Sequence, residues 1–170
     1  RRYYVVRDDS SIILFVPGNK PPAESGFRII GAHTDSPGLR IRPNAAAVND
    51  GIAQLGVEIY GGPILATFTD RDLSLAGRIS YTYGDGLLAH KRVHLEEPVL
   101  RLPNLAIHMN RKVNEEGLKL HKQNQLSPFF AQLTADQLPQ SHFLALLEQA
   151  TGIGSSQILS WDLAVYDTQK

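Results

Sequence analysis

The sequence predicts an α/β chain dominated by strands. Its opening strands suit a sheet covered on both faces, and a β-rich α+β region with one substantial helix follows. Three observations point there. Short aromatic and β-branched runs, separated by Gly, Pro, Asn, Asp and Ser clusters, fill the first two thirds. The run RIIGAH, from Arg28 to His33, sets apolar residues side by side, as a strand buried on both faces does. Helical spacing appears only late, where Phe143, Leu144, Leu147 and Ala150 share one stripe.

In chain order, Tyr3–Arg7 and Ser11–Val16 read as strands joined across Asp-Asp-Ser-Ser. The turn-rich PGNKPPAESG leads to a third strand at Phe27–Ala32. Leu39–Arg42 alternates Leu and Ile with Arg, the pattern of a half-exposed strand, and Pro43, Asn44 and AAAVNDG mark a change of region. Further strands are expected at Gln54–Tyr60, Ile64–Phe68, Ser74–Tyr83, Leu87–Leu95 and Val99–Leu102, with the Gly-Asp-Gly between two of them closing a hairpin. Ser127 and Pro128 open a short helix through Leu133. Ser141 caps a longer one that Gly152 ends. Ile158–Tyr166 alternates again as a strand.

Bulk composition narrows the function. Lys+Arg and Asp+Glu are equal at 17 each, so the excess positive charge that a dedicated nucleic-acid binder uses against phosphates is missing. No run of about twenty apolar residues could span a bilayer, so no membrane partner is expected. The absence of cysteine removes disulfides, thiolate zinc sites and cysteine nucleophiles, and suits a cytoplasmic protein. A serine hydrolase lacks its G-x-S-x-G elbow. The chain opens on Arg-Arg-Tyr-Tyr without Met and stops at Tyr-Asp-Thr-Gln-Lys after an apolar run, so it is expected to be part of a longer protein.

The chemistry concentrates at His33-Thr34-Asp35, where an apolar strand runs into a turn stiffened by Pro37. Strand ends at a sheet rim gather ligands in open α/β folds. Neutral imidazole is a good zinc ligand, and a carboxylate beside it fixes its tautomer. Taken alone, the triplet equally describes a polar turn, and catalytic zinc needs about three protein ligands. His90 and His94 lie four apart on an expected strand, about 13 Å apart along the chain, too far to share a metal. Glu96-Glu97 and Glu115-Glu116 read as solvated charge, and Asp70-Arg71-Asp72 as a turn with a local salt bridge. His121 and His142 carry no pattern, and Trp161 reads as a packing residue.

The longer strings are more specific. IIGAHTDSPGLRIRP, LGVEIYGG, DRDLSLAGR and LPNLAIHMNR follow in order from about Phe27 to Asn110, and DLAVYDTQ resumes the pattern. Together they resemble the aspartyl aminopeptidases, metallopeptidases of the M18 family.

That resemblance implies a zinc-peptidase α/β/α domain interrupted by an inserted β-rich dimerisation domain. Residues 1–43 would begin the peptidase domain, 44–157 would form the insert, and 158–170 would return toward the peptidase domain. The enzymes it resembles remove N-terminal residues from peptides, Asp and Glu preferentially, at a two-zinc site, and their dimers build a larger, dodecameric assembly. On that pattern His33 is a metal ligand and Asp35 the carboxylate that orients it. His108, read as lying in an apolar strand of the insert, reaches the neighbouring subunit's active site to bind substrate or steady the oxyanion. The family's remaining ligands lie downstream of the DTQ segment, so this chain alone is expected to be inactive. The alternative is a non-catalytic self-association module.

Overall fold

The computed structural model describes residues 1–7 and 10–169, in two compact units, residues 1–36 and 37–170. The first unit holds a hairpin of β1 (Tyr3–Arg7) and β2 (Ser11–Phe15), in register from Tyr3 opposite Phe15 to Arg7 opposite Ser11. The Tyr3 and Phe15 rings stack across it, centroids 5.4 Å apart. Asp8 and Asp9 of the expected turn lie outside the described residues. A single helical turn, α1 (Pro22–Ser25), follows and closes where the Gly26 N–H donates to the Pro22 carbonyl.

The strand expected at Phe27–Ala32 is not one. Residues 26–37 have no regular structure, and Ile30 is 99% exposed. A strand exists through a neighbour that takes its backbone hydrogen bonds, and β1 and β2 pair with each other instead.

The second unit is built on an antiparallel six-stranded sheet in the order β6-β5-β8-β3-β4-β7. Its strands are β3 (Gly38–Asn49), β4 (Ile52–Tyr60), β5 (Leu73–Tyr83), β6 (Leu87–His94), β7 (Phe129–Gln132) and β8 (Ile158–Asp167). A short helix, α2 (Val113–Glu116), lies in the long connection before β7, and α3 (Pro139–Thr151) precedes β8. Alternation sends Leu39 and Ile41, Leu55 and Val57, Leu73, Leu75 and Ile79, and Leu163 and Val165 into one core. Phe143 and Leu147 of α3 join that core, and the Phe143 ring meets Trp161 edge-on at 5.2 Å.

Several elements depart from expectation for local reasons. AAAV continues β3 rather than leaving it, because Asp50 and Gly51, both at positive φ, form a two-residue hairpin loop with Asn49 opposite Ile52. Pro43 cannot donate to the ladder, and the β3–β4 register shifts between Ile41 and Ala46 around it. The Arg42 carbonyl beside this bulge accepts the Trp161 indole N–H at 2.9 Å. Leu65–Phe68 is a 3-10 turn, held where the Thr67 hydroxyl donates to the Ile64 carbonyl and Thr69 to Ala66.

Phe129–Gln132 is a strand, not the helix expected from Pro128, because β4 and Arg101 take its backbone bonds. Leu100 and Arg101 form isolated bridges only. Helix α3 starts at Pro139, whose missing N–H costs nothing there, two residues before the expected cap. It ends at Gly152 in the left-handed conformation, as expected.

The packing division falls between Ser36 and Pro37. Strand β8 is hydrogen-bonded between β5 and β3, and its Leu163 and Val165 belong to the same core as β3 and β4.

Candidate functional site

His33 sits in the irregular segment after Ala32, with its side chain 80% exposed and that of Asp35 47%. Its Nδ1 lies 2.8 Å from the Asp35 main-chain oxygen and 3.4 Å from Asp35 Oδ1. A carbonyl only accepts, so in the neutral ring Nδ1 carries the hydrogen and Nε2 keeps its lone pair. That tautomer leaves Nε2 able to bind a metal. The expected orienting carboxylate is present, but the shorter bond comes from the same residue's backbone. The two-residue spacing of H-x-D folds that carbonyl under the ring.

One imidazole and one carboxylate do not make a metal site. Among the described residues no group of three or more His, Asp or Glu side chains is placed to hold an ion. The residues present therefore do not by themselves fit the zinc that the sequence resemblance implies.

His108 occupies a 3-10 turn, Ile107–Met109, rather than a strand. The Met109 N–H donates to Ala106 at 2.9 Å and Asn110 to Ile107 at 3.1 Å. The imidazole is exposed. Leu102 just before this arm is buried, whereas residues 103–109 are all exposed.

The other histidines have structural partners. His90 pairs through Nδ1 with the Ser80 hydroxyl at 3.0 Å across the β5–β6 ladder, and the His94 ring packs on Tyr166 at 5.4 Å. They lie on one strand, as expected, and share no site. His121 Nδ1 accepts the Asn124 N–H, and the His142 ring packs on Phe130. Glu96, Glu97, Glu115 and Glu116 are exposed, and Glu116 pairs with Lys112 and Lys119.

The turn at Thr69–Asp72 is richer than its sequence suggests. Its ion pairs are long-range, not local. Arg71 Nη1 donates to Asp167 Oδ2 at 2.8 Å, and Arg101 Nη1 donates to Asp72 Oδ1 at 2.9 Å. Asp70 adopts φ 55° and accepts from Asn104 twice, from its backbone N–H at 3.1 Å and its Nδ2 at 2.8 Å. Those two bonds hold the Asp70 carboxyl below its ordinary value. Sequence reading missed Asn104. The available signal was an Asn after Pro103, set between the apolar Leu102 and the run Leu105–Ile107.

Comparison with known proteins completes the picture. The sequence profile of the Aminopeptidase I zinc metalloprotease (M18) family matches residues 1–170. A probable M18 family aminopeptidase 2 of Stutzerimonas stutzeri is 46% identical over 172 residues, covering 99% of this chain and 39% of that protein. The fold superposes on a chain in the cryo-EM structure of the Ape4 and Nbr1 complex, with TM-score 0.87 and 36% identity over 99% of this chain and 35% of that one. It also matches the crystal structure of prApe1, with TM-score 0.81 and 27% identity over 99% of this chain and 38% of the other. The mixed α/β fold, dominated by its antiparallel sheet, is thus one found in metallo-aminopeptidases. The chain belongs to the M18 aminopeptidase family. It spans about two fifths of the length of the curated relative quoted.

Proposed function

We propose that this chain is the N-terminal part of a zinc-dependent aminopeptidase that releases N-terminal residues, Asp and Glu by preference, from peptides. Residues 1–43 begin its peptidase domain, 44–157 form an inserted dimerisation domain, and 158–170 return toward the peptidase domain. His33 contributes one ligand to a two-zinc site that residues beyond this chain complete, and Asp35 orients it. His108 serves the active site of the neighbouring subunit in a dodecamer assembled from dimers, in the cytoplasm. No helix among the described residues is long and apolar enough to cross a membrane.

The observation that carries the reading is the His33 ring, tied at Nδ1 and presenting Nε2, inside a segment that matches the M18 profile. The test uses the complete enzyme. His33→Ala is expected to lose bound zinc, measured by elemental analysis, together with nearly all turnover of Asp- and Glu-p-nitroanilides, while far-UV circular dichroism stays unchanged. A variant that keeps both its zinc and its activity refutes the ligand role. The 170-residue chain alone, with zinc added, is expected to show no turnover.

The self-association reading is favoured by one observation: the second unit, which encloses a core of its own, leaves the large apolar side chains Ile64, Leu87 and Leu88 exposed. A strict monomer across micromolar concentrations, by light scattering, counts against it.

A further inference from the structure

The arm carrying His108 leaves the folded body at Leu102 with little packing to aim it. Leu105, Ile107 and Met109 are 54%, 53% and 64% exposed. The hydrogen bonds that follow close locally, Met109 onto Ala106, Asn110 onto Ile107 and Val113 onto Asn110. At the far end of the connection, Leu120 and Leu126 pack against the core. At the near end, direction depends on Asn104.

Asn104 is held on three sides. Its backbone N–H and Nδ2 donate to the two carboxylate oxygens of Asp70, and Nδ2 also donates to the Thr69 hydroxyl at 3.0 Å. Asp70 in turn donates its backbone N–H to the Leu102 carbonyl at 2.9 Å. This closes a ring around Leu102–Asn104. The left-handed conformation of Asp70 is strained for a residue with a side chain, less so for Asp than for most, and the ring of bonds holds it there. Strain of that kind, kept in place by surrounding bonds, marks a position where geometry matters.

The same turn also grips the end of β8. Arg71 donates to Asp167 and to Gln169 Oε1, and the Asp72 carbonyl accepts both the backbone N–H and the hydroxyl of Thr168, at 2.9 and 2.8 Å. The root of the His108 arm and the exit of β8 are thus fixed to one four-residue turn.

The geometry points to Asp70 and Asn104 as a positioning pair that aims the His108 arm from the Thr69–Asp72 turn. Neither residue touches substrate in this scheme; both act through His108. The inference rests on the trans-acting reading of His108, and the experiment separates the two.

The complete enzyme is measured with the variants Asn104→Asp, Asn104→Asp with Asp70→Asn, His108→Ala, and Asn104→Asp with His108→Ala. Asn104→Asp sets two carboxylates face to face. It is expected to lower kcat roughly ten- to a hundredfold, as a misplaced group does, with zinc content unchanged. Adding Asp70→Asn restores an amide opposite a carboxylate and is expected to recover most of the loss. In the His108→Ala background, Asn104→Asp is expected to cost less than about twofold more, because the group it aims is gone. A normal kcat for Asn104→Asp beside a slowed His108→Ala overturns the pair alone, and so does a full additional loss in the double variant. A His108→Ala enzyme with normal kcat overturns the role of His108 and the positioning pair with it.

Discussion

Gly77 lies in the middle of β5, opposite Val93 of β6 and Leu163 of β8, at φ 152°. A Cβ added there would stand 2.0 Å from the Asp162 carbonyl oxygen and 3.0 Å from both the Asp162 carbonyl carbon and Leu163 Cα. Ordinary contact begins at 3.4 Å, so the strands would have to part by about 1.4 Å. Neither can give way easily. β5 is held on both sides, and the obstacle is backbone rather than the tip of a flexible side chain. Gly77→Ala therefore combines a backbone conformation closed to other residues, about 1–3 kcal/mol, with overpacking of about 1–3 kcal/mol. The sum is a large share of the roughly 5–15 kcal/mol that holds a domain together.

The sole tryptophan reports on this directly, because Trp161 lies on β8 opposite Ile79, two residues along β5 from Gly77. Urea unfolding followed by Trp161 fluorescence is expected to show the midpoint falling by about 1–3 M at a slope near 2 kcal/mol/M, or no folded baseline at all. Gly62→Ala is the control, with nothing within 4 Å of its added Cβ, and is expected to stay within about 0.5 kcal/mol of the parent. A Gly77→Ala midpoint indistinguishable from that of Gly62→Ala would refute the claim that close strand approach demands glycine here.

Three further outcomes are expected. Leu147→Ala empties a fully buried site beneath α3 and should cost about 2–5 kcal/mol in the same urea experiment. Asp35→Asn in the complete enzyme should lower zinc affinity or activity by about 10–100-fold, the usual effect of weakening a ligand's orienting partner; because the backbone carbonyl already holds Nδ1, a fall at the lower end would assign most of the orientation to the main chain. Burial pushes the Tyr166 hydroxyl above its ordinary value, with Glu96 acting in the same direction and Ser74 opposing, so the folded state holds its proton more tightly than the unfolded one. Its contribution to stability is thus full below about pH 10 and is lost as pH rises through the folded value. Tyr166→Phe should remove that alkaline loss in a pH series of urea midpoints, at a neutral-pH cost of about 1 kcal/mol for the bond to the Leu95 carbonyl.

Where side chains alternate against a core, the elements were legible. β4, β5, β6 and β8 were expected within two residues of where they lie, because every second residue had to be apolar. What failed depended on partners distant in sequence. Phe129–Gln132 could open a helix by composition, yet it becomes a strand because Ile52–Gln54 offers an edge nearly eighty residues away. The reverse holds for Phe27–Ala32, whose composition is strand-like and whose backbone has no ladder. One signal was local and was overlooked: the Asp-Gly of AAAVNDG is a strong hairpin sign, and it joins β3 to β4.

Site chemistry divides along the same line. The contact between His33 and Asp35 is set within three residues, and there the Asp35 backbone carbonyl lies nearer Nδ1 than the carboxylate expected to orient the ring. The role of Asn104 was not readable, because its meaning comes from Asp70, thirty-four residues earlier, at a conformation no sequence pattern announces. Asp is among the few residues with side chains that enter the left-handed region at modest cost. Both of its carboxylate oxygens are taken by Asn104, the residue at the root of the arm. At Asp70 a tolerable left-handed backbone and the grip on the arm meet in one residue. Replacing it with glycine would relieve the backbone and abolish the grip.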